Sequence, residues 1–190
     1  MEIYRYKDYE EYREAQIEAN LRKLHVVYVK EEIIDKICVF LKSRISRISF
    51  GLCHGTRRGI EQALFKKKLG CPVLGTEISP TASRFPDTIE WDFHFVKPEW
   101  LKKCDFVYSN ALDHAYDPEK ALLAWASCLA PHGFLAIEWV DGKATKSDPF
   151  AAPLKSFINF LSTLSIKPMH IDPLPGYRQS LVICKLQKRD

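Results

Sequence analysis

The segment Ile48-Ser-Phe-Gly-Leu-Cys-His-Gly-Thr-Arg-Arg-Gly59 constrains this chain more than any other. It reads as a strand that turns through Gly51, Gly55 and Gly59 into a helix. Glycine lets bare backbone approach a ligand, and the start of a helix carries partial positive charge. Open α/β sheets hold nucleotide-like ligands with this device. Spacing separates two versions of it. A dinucleotide fingerprint, G-x-G-x-x-G, counted from Gly51 meets Cys53 and Thr56 at its last two glycine positions. The pattern G-x-G-x-G meets Gly51, Cys53 and Gly55, and fails only in the middle.

The rest of the chain supplies the sheet that such a turn needs. Strands are expected at 45–50, 72–77, 89–91, 106–109, 134–139, 167–171 and 180–186. Helices are expected near 56–69, 97–103, 118–130 and 150–164. The helix at 118 is the best signalled: Asp117 suits the N-cap, Pro118 the first turn, and Glu119 the helix dipole. This alternation predicts an α/β fold, a doubly wound, mostly parallel seven-stranded sheet with helices on both faces. The last two strands are joined by residues 172–177, too few for a parallel crossover, so they should form an antiparallel hairpin. Ahead of the sheet lie a helix over 8–24, an extended piece at 26–29 and a second helix carrying Ile33, Ile34, Ile37, Phe40 and Leu41. The expected organisation is a single domain, with 1–44 as a helical lid segment and 45–190 as the core.

Composition narrows the function classes. The 190 residues suffice for one domain with a sizeable core. The net charge of +4 is mildly basic and not gathered in one block, so no nucleic-acid partner is expected. No apolar run approaches membrane-spanning length, and the N-terminus lacks the apolar stretch of a signal peptide. The six cysteines form no C-x-x-C pair. Buried, reduced thiols in a cytoplasmic protein are the simple reading. His54 beside Cys53 has no second pair at ligand spacing, so no metal is expected.

A series of motifs in order gives the loop a particular ligand. Val73-Leu-Gly-Thr-Glu77 ends a strand in an acid. Ile89-Glu-Trp-Asp-Phe93 places another acid after the next strand. Asp105-Phe-Val-Tyr-Ser-Asn-Ala-Leu-Asp-His114 is an apolar strand opening into polar residues, and Leu129-Ala-Pro-His-Gly-Phe134 is a turn before a further strand. Across roughly residues 45–187 this order resembles the class I S-adenosylmethionine-dependent methyltransferases, which have a Rossmann-like fold. The departures are Cys53 for a glycine and the lack of an acid in the first strand, where Phe50 precedes Gly51.

The resemblance implies S-adenosyl-L-methionine as cofactor. It assigns Gly51, Cys53, His54, Gly55 and Arg57 to the loop, and Glu77 with Ile78 to the ribose. It assigns Asp92 and Phe93 to the adenine, and Ser109 and Asn110 to the end of the fourth core strand. Asp113 and His114 are catalytic candidates, since ligands lie over the carboxyl ends of such strands. Glu138 and Trp139 end the fifth strand and are expected to face the substrate. His25 and Tyr28 belong to the covering segment. Arg57 and Arg58 sit at a helix start, where cations are slightly unfavourable, which points to an anion nearby.

No N-P-P-Y, D-P-P-Y or Pro-Cys segment and no basic tract suggests a nucleic-acid base as acceptor. A small molecule or a glycan fits better, methylated on oxygen or nitrogen, and a homodimer is compatible with the chain. Two alternatives stay open: an inactive relative that binds cofactor or a partner, and a nicotinamide-dependent oxidoreductase.

Overall fold

The computed structural model describes residues 1–174 and 179–187. In chain order the strands are β1 (Glu2–Ile3), β2 (Gly51–His54), β3 (Val73–Glu77), β4 (Thr88–Glu90), β5 (Cys104–Ser109), β6 (Leu129–Val140), β7 (Phe150–Ala151), β8 (Ile166–Leu174) and β9 (Gln179–Leu186). The helices are α1 (Tyr9–Arg22), α2 (Glu31–Arg44), α3 (Ile60–Leu69), α4 (Pro118–Cys128) and α5 (Leu154–Thr163). Short 3-10 turns lie at Pro80–Arg84, Pro98–Trp100 and Leu112–His114.

Seven strands form one sheet in the order β4-β3-β2-β5-β6-β9-β8. The first five run parallel, and β9 is antiparallel to both β6 and β8. The expected doubly wound sheet and its terminal hairpin are therefore both present. Of the hairpin turn, residues 175–177 lie outside the described residues. A second, two-stranded sheet pairs β1 with β7.

Side-chain alternation splits the core in two. On β5, Phe106 and Tyr108 face α2 and α3 together with Cys53, Phe65, Ile34, Ile37 and Leu41. Val107 faces the other side with Leu52, Trp125, Trp139 and Phe157. Asp117 caps α4, its Oδ1 accepting from the Lys120 N–H at 3.0 Å. Asp8 caps α1 the same way through the Glu11 N–H at 2.9 Å.

Several elements differ from expectation: α3 begins at Ile60 rather than 56, and β6 at Leu129 rather than 134. The first core strand begins at Gly51, not at 45. Gly51 therefore lies inside a strand, where a Cβ would sit 2.2 Å from the Phe106 ring on β5. The tract at 97–103 is only a 3-10 turn. The last helix starts at Leu154, because Pro153 sits at its N-cap and Phe150–Ala151 pairs with β1 instead.

The chain passes from β2 outward to β3 and β4, then returns to β5 on the other side of β2. The crevice at that reversal, over the carboxyl ends of β2 and β5, is where such sheets place ligands. At the opposite edge of the sheet, Asp105 ties the start of β5 to the chain entering β2. That carboxylate accepts from the Ser49 N–H, the Ser49 hydroxyl and the Phe50 N–H, and bonds the His132 ring at 2.5 Å. Burial pushes the Asp105 carboxyl up, but these bonds outweigh it and leave it below the usual range.

Candidate active site

The loop after β2 wraps the end of β3. Gly55 and Thr56 N–H groups both donate to the Thr76 carbonyl, at 2.9 and 3.0 Å. Three residues turn the chain with positive φ: Gly55 (73°), Arg57 (42°) and Gly59 (72°). A Cβ at Gly55 would lie 2.5 Å from that of Ala111, so the loop passes close against the turn after β5. The Arg57 N–H donates to Glu77 Oε2 and the Ser79 N–H to Oε1, each at 3.0 Å. Burial raises the Glu77 carboxyl above its ordinary value, against the pull of those two N–H groups.

Two cavities open over this crevice. The larger, about 290 Å³, is lined by Gly55, Thr56, Arg57 and Arg58 from the loop, by Val26–Val29, and by Asn110, Asp113, His114, Glu138 and Asp148. The smaller, about 50 Å³, is lined by Glu77, Ile78, Asp92 and Phe93, with Tyr12, Gln16 and Asn20 of α1 closing it. Lys23, Gly55, Arg57, Ala111 and His114 border both, so the two are halves of one cleft.

The polar groups differ along the cleft. Asp92 is internally engaged: Oδ2 accepts from the Tyr9 hydroxyl at 2.8 Å, and Oδ1 from the His94 N–H at 2.9 Å with the His94 ring at 2.6 Å. Burial pushes the Asp92 carboxyl up, but those bonds prevail and leave it lowered. Where the two halves meet, His114 Nδ1 lies 2.7 Å from the Ser147 carbonyl. A carbonyl only accepts, so Nδ1 carries the proton and neutral His114 has its lone pair on Nε2. Asp113 Oδ1 stands 3.9 Å from that nitrogen. Burial, with Asp148 nearby, raises the Asp113 carboxyl, while His114 opposes the shift.

Below them Glu138 bonds the Tyr108 hydroxyl, and burial raises its carboxyl. Glu61, also in the wall, is pushed up by burial to about 7, against bonds from its own backbone and Asn110. One grouping was invisible to sequence spacing. Asp113, His114 and Asp148 bring ligand-capable atoms within 4.8 Å of one another, with Asp148 arriving from a distant loop.

No family model matches the chain, and no curated protein sequence matches it. Its three-dimensional likeness to solved structures is extensive. It superposes on the 1,6-didemethyltoxoflavin-N1-methyltransferase of Burkholderia thailandensis with a TM-score of 0.74 at 15% identity, covering 97% of this chain and 93% of that one. A sugar N-methyltransferase from Streptoalloteichus gives 0.68 at 14% identity, covering 90% and 92%. A TehB-like S-adenosylmethionine-dependent methyltransferase from Corynebacterium glutamicum gives 0.63 at 17%, covering 94% and 98%. This is the class I methyltransferase fold.

Within the methyltransferase fold, most of the residues singled out from sequence converge. Gly55, Arg57, Glu77, Ile78, Asp92, Phe93, Asn110, Asp113, His114, Tyr28, Arg58 and Glu138 all line the cleft. Tyr28 lies under the Arg57 guanidinium, 5.1 Å from ring centre to carbon.

Six others do not line it. Gly51 and Cys53 are strand residues, and the Cys53 side chain packs in the α2–α3 core. His54 is buried, stacked 5.2 Å from Trp125 and bonded to Thr76 Oγ1 at 2.8 Å. Ser109 shapes the turn behind the cleft, accepting from the Ala111 N–H and donating to the His54 carbonyl, both at 3.0 Å. Trp139 stacks on Phe157 at 4.1 Å and donates to the Ala152 carbonyl. His25 is exposed and offers only its carbonyl, to Arg58.

For Gly51, Cys53 and His54 the cause is a shift in the glycine motif. The turn runs from Gly55 to Gly59, so residues 51–54 belong to the strand. Sequence reasoning missed Asn20, Gln16 and Lys23 of the α1 region, Glu61, and Asp148. Only the fold brings these to the cleft, and no local pattern marks them.

Proposed function

We propose that the protein is a methyltransferase that uses S-adenosyl-L-methionine and acts on a small-molecule or glycan acceptor, at oxygen or nitrogen. The observation that carries this reading is the divided cleft at the strand-order reversal, with Glu77 in the smaller half, Asp113 in the larger, and His114 where the two meet. The cofactor fits the residues present. Each Glu77 oxygen accepts a single N–H bond, and a carboxylate oxygen has capacity for more, so both ribose hydroxyls can donate there. Gly55 leaves room for close approach, and the side-chain amide of Asn110 suits the amino-acid end.

Bound S-adenosylmethionine supplies a methyl group already activated by its sulfonium. The chain's own work is then to orient the acceptor, exclude water and remove a proton. Orientation alone is worth about 7–11 kcal/mol in favourable cases. His114 takes the acceptor's proton at Nε2. Ser147 holds the ring in the required tautomer, and Asp113 stabilises the imidazolium that forms. Phe93 would flank the adenine, while Asp92 holds Tyr9 and His94 and so ties α1 down over that half. Arg58 and Tyr28 line the mouth on the acceptor side.

The test is turnover. Purified protein is incubated with S-adenosylmethionine and a panel of hydroxyl- and amine-bearing small molecules and sugars, and S-adenosylhomocysteine is measured. Acceptor-dependent release that disappears in His114→Ala, with cofactor affinity retained, supports the reading. Equal turnover in the variant removes His114 from its role. Cofactor binding without turnover on any acceptor favours the inactive relative.

A further inference from the structure

We propose that Asn20 of α1 is a cofactor-binding residue, its side-chain amide donating a hydrogen bond to an acceptor atom of the adenosine half. The proposal rests on the methyltransferase reading and adds a contact from outside the sheet.

Asn20 is 5% exposed. Its Oδ1 accepts from the Thr81 hydroxyl at 3.0 Å, and Thr81 lies 3.1 Å from Ser79 Oγ. The Ser79 N–H in turn holds Glu77. This chain of bonds fixes the amide beside the ribose-binding carboxylate. It leaves Asn20 Nδ2 buried with no partner. An unsatisfied buried donor is destabilising, and native folds rarely keep one without use.

The other side chain in this position relative to α1, Gln16, differs: its Nε2 donates to the Ser147 carbonyl at 3.2 Å. Among the described residues, three other buried side-chain atoms lack a partner: His54 Nε2, Gln62 Oε1 and Thr56 Oγ1. His54 and Gln62 line neither cavity, and Thr56 lines only the larger one. Asn20 lines the smaller cavity, with Glu77, Ile78, Asp92 and Phe93.

Donor–acceptor chemistry selects the ligand group. Glu77 and Asp92, when ionised, only accept, and so serve hydroxyls and amines. An adenosine also presents ring nitrogens and ribose oxygens that need a donor. Asn20 Nδ2 is a buried, unspent side-chain donor on that wall. The residue thus makes α1 part of the binding site rather than only its cover.

Calorimetric titration of the full chain with S-adenosylhomocysteine and with 5′-methylthioadenosine, which lacks the amino-acid end, tests this. Asn20→Ala should lose about tenfold in affinity for both ligands, the loss of one hydrogen bond. Asn20→Ala also removes the Oδ1 acceptor of Thr81, so its ligand-free melting temperature is recorded beside the affinities. The isosteric Asn20→Asp, which replaces the donor with another carboxylate, should bind both ligands more weakly still. Unchanged affinity in both variants overturns the proposal. A loss confined to S-adenosylhomocysteine also overturns it, since the contact would then lie outside the nucleoside. A lowered melting temperature with unchanged affinity assigns Asn20 to structure alone. If the wild-type protein itself binds neither ligand, it is the methyltransferase reading that fails, and this inference falls with it.

Discussion

The main-chain N–H of Arg57 donates to the Glu77 carboxylate at 3.0 Å, joining the turn after β2 to the end of β3. Arg57 reaches that position only with a left-handed backbone, φ 42°. The carboxylate therefore shapes the loop as well as facing the cleft.

Glu77→Gln replaces one acceptor oxygen with a donor that opposes either the Arg57 or the Ser79 N–H. Affinity for S-adenosylhomocysteine should fall by about tenfold or more, the scale of a hydrogen bond to a charged group. Calorimetry reads this directly. Unchanged affinity would detach Glu77 from the ligand.

His114→Ala should slow turnover by about 10²–10⁴-fold, the usual contribution of a positioned base, and leave S-adenosylhomocysteine affinity nearly intact. Steady-state kinetics beside calorimetry separates the two. A loss of affinity matching the loss of rate would make His114 a cofactor contact instead.

Gly51→Ala should destabilise the fold by about 1–3 kcal/mol, because the new methyl meets the buried Phe106 ring. Phe106→Leu should recover part of that loss in the double variant. Urea unfolding midpoints of the four proteins decide it. Additive losses would mean that the two sites do not touch.

Two buried groups give stability opposite slopes with pH. His54 titrates at about 3 in the fold against 6.5 ordinarily, because burial disfavours its charged form. Between those values the unfolded chain holds the extra proton, so stability falls as pH drops from 6.5 toward 3. Glu61 titrates at about 7 against 4.5, again through burial. There the folded chain holds the extra proton, so stability falls as pH rises from 4.5 through 7. Each slope is at most about 1.4 kcal/mol per pH unit. His54→Phe should remove the loss between pH 6.5 and 3, and Glu61→Gln the loss between pH 4.5 and 7, measured by denaturation across pH. Losses unchanged by both substitutions would contradict the assignment.

Much of this was legible in the chain because local signals and tertiary demands agreed. The Asp117–Pro118 start of α4, the acid ending β3 and the brief connection before β9 each follow from short-range chemistry. The strand at Gly51 was not legible. Glycine reads as a turn residue, and only Phe106, more than fifty positions away in the chain, explains why a strand needs it. His54 and Trp139 sit in polar-looking segments at strand ends, yet their rings face cores built by Trp125 and Phe157. Asn20 and Asp148 come to the cleft from distant segments, and no spacing in sequence announces that meeting. Cys53, the apparent flaw in the glycine pattern, is a core residue of β2 that never had to serve the turn.

The most direct measurement is a calorimetric titration of the wild-type chain with S-adenosylhomocysteine, and separately with NAD. The account predicts saturable binding of one S-adenosylhomocysteine per chain at micromolar strength, and none of NAD. Binding of NAD in its place, or of neither ligand, would contradict it.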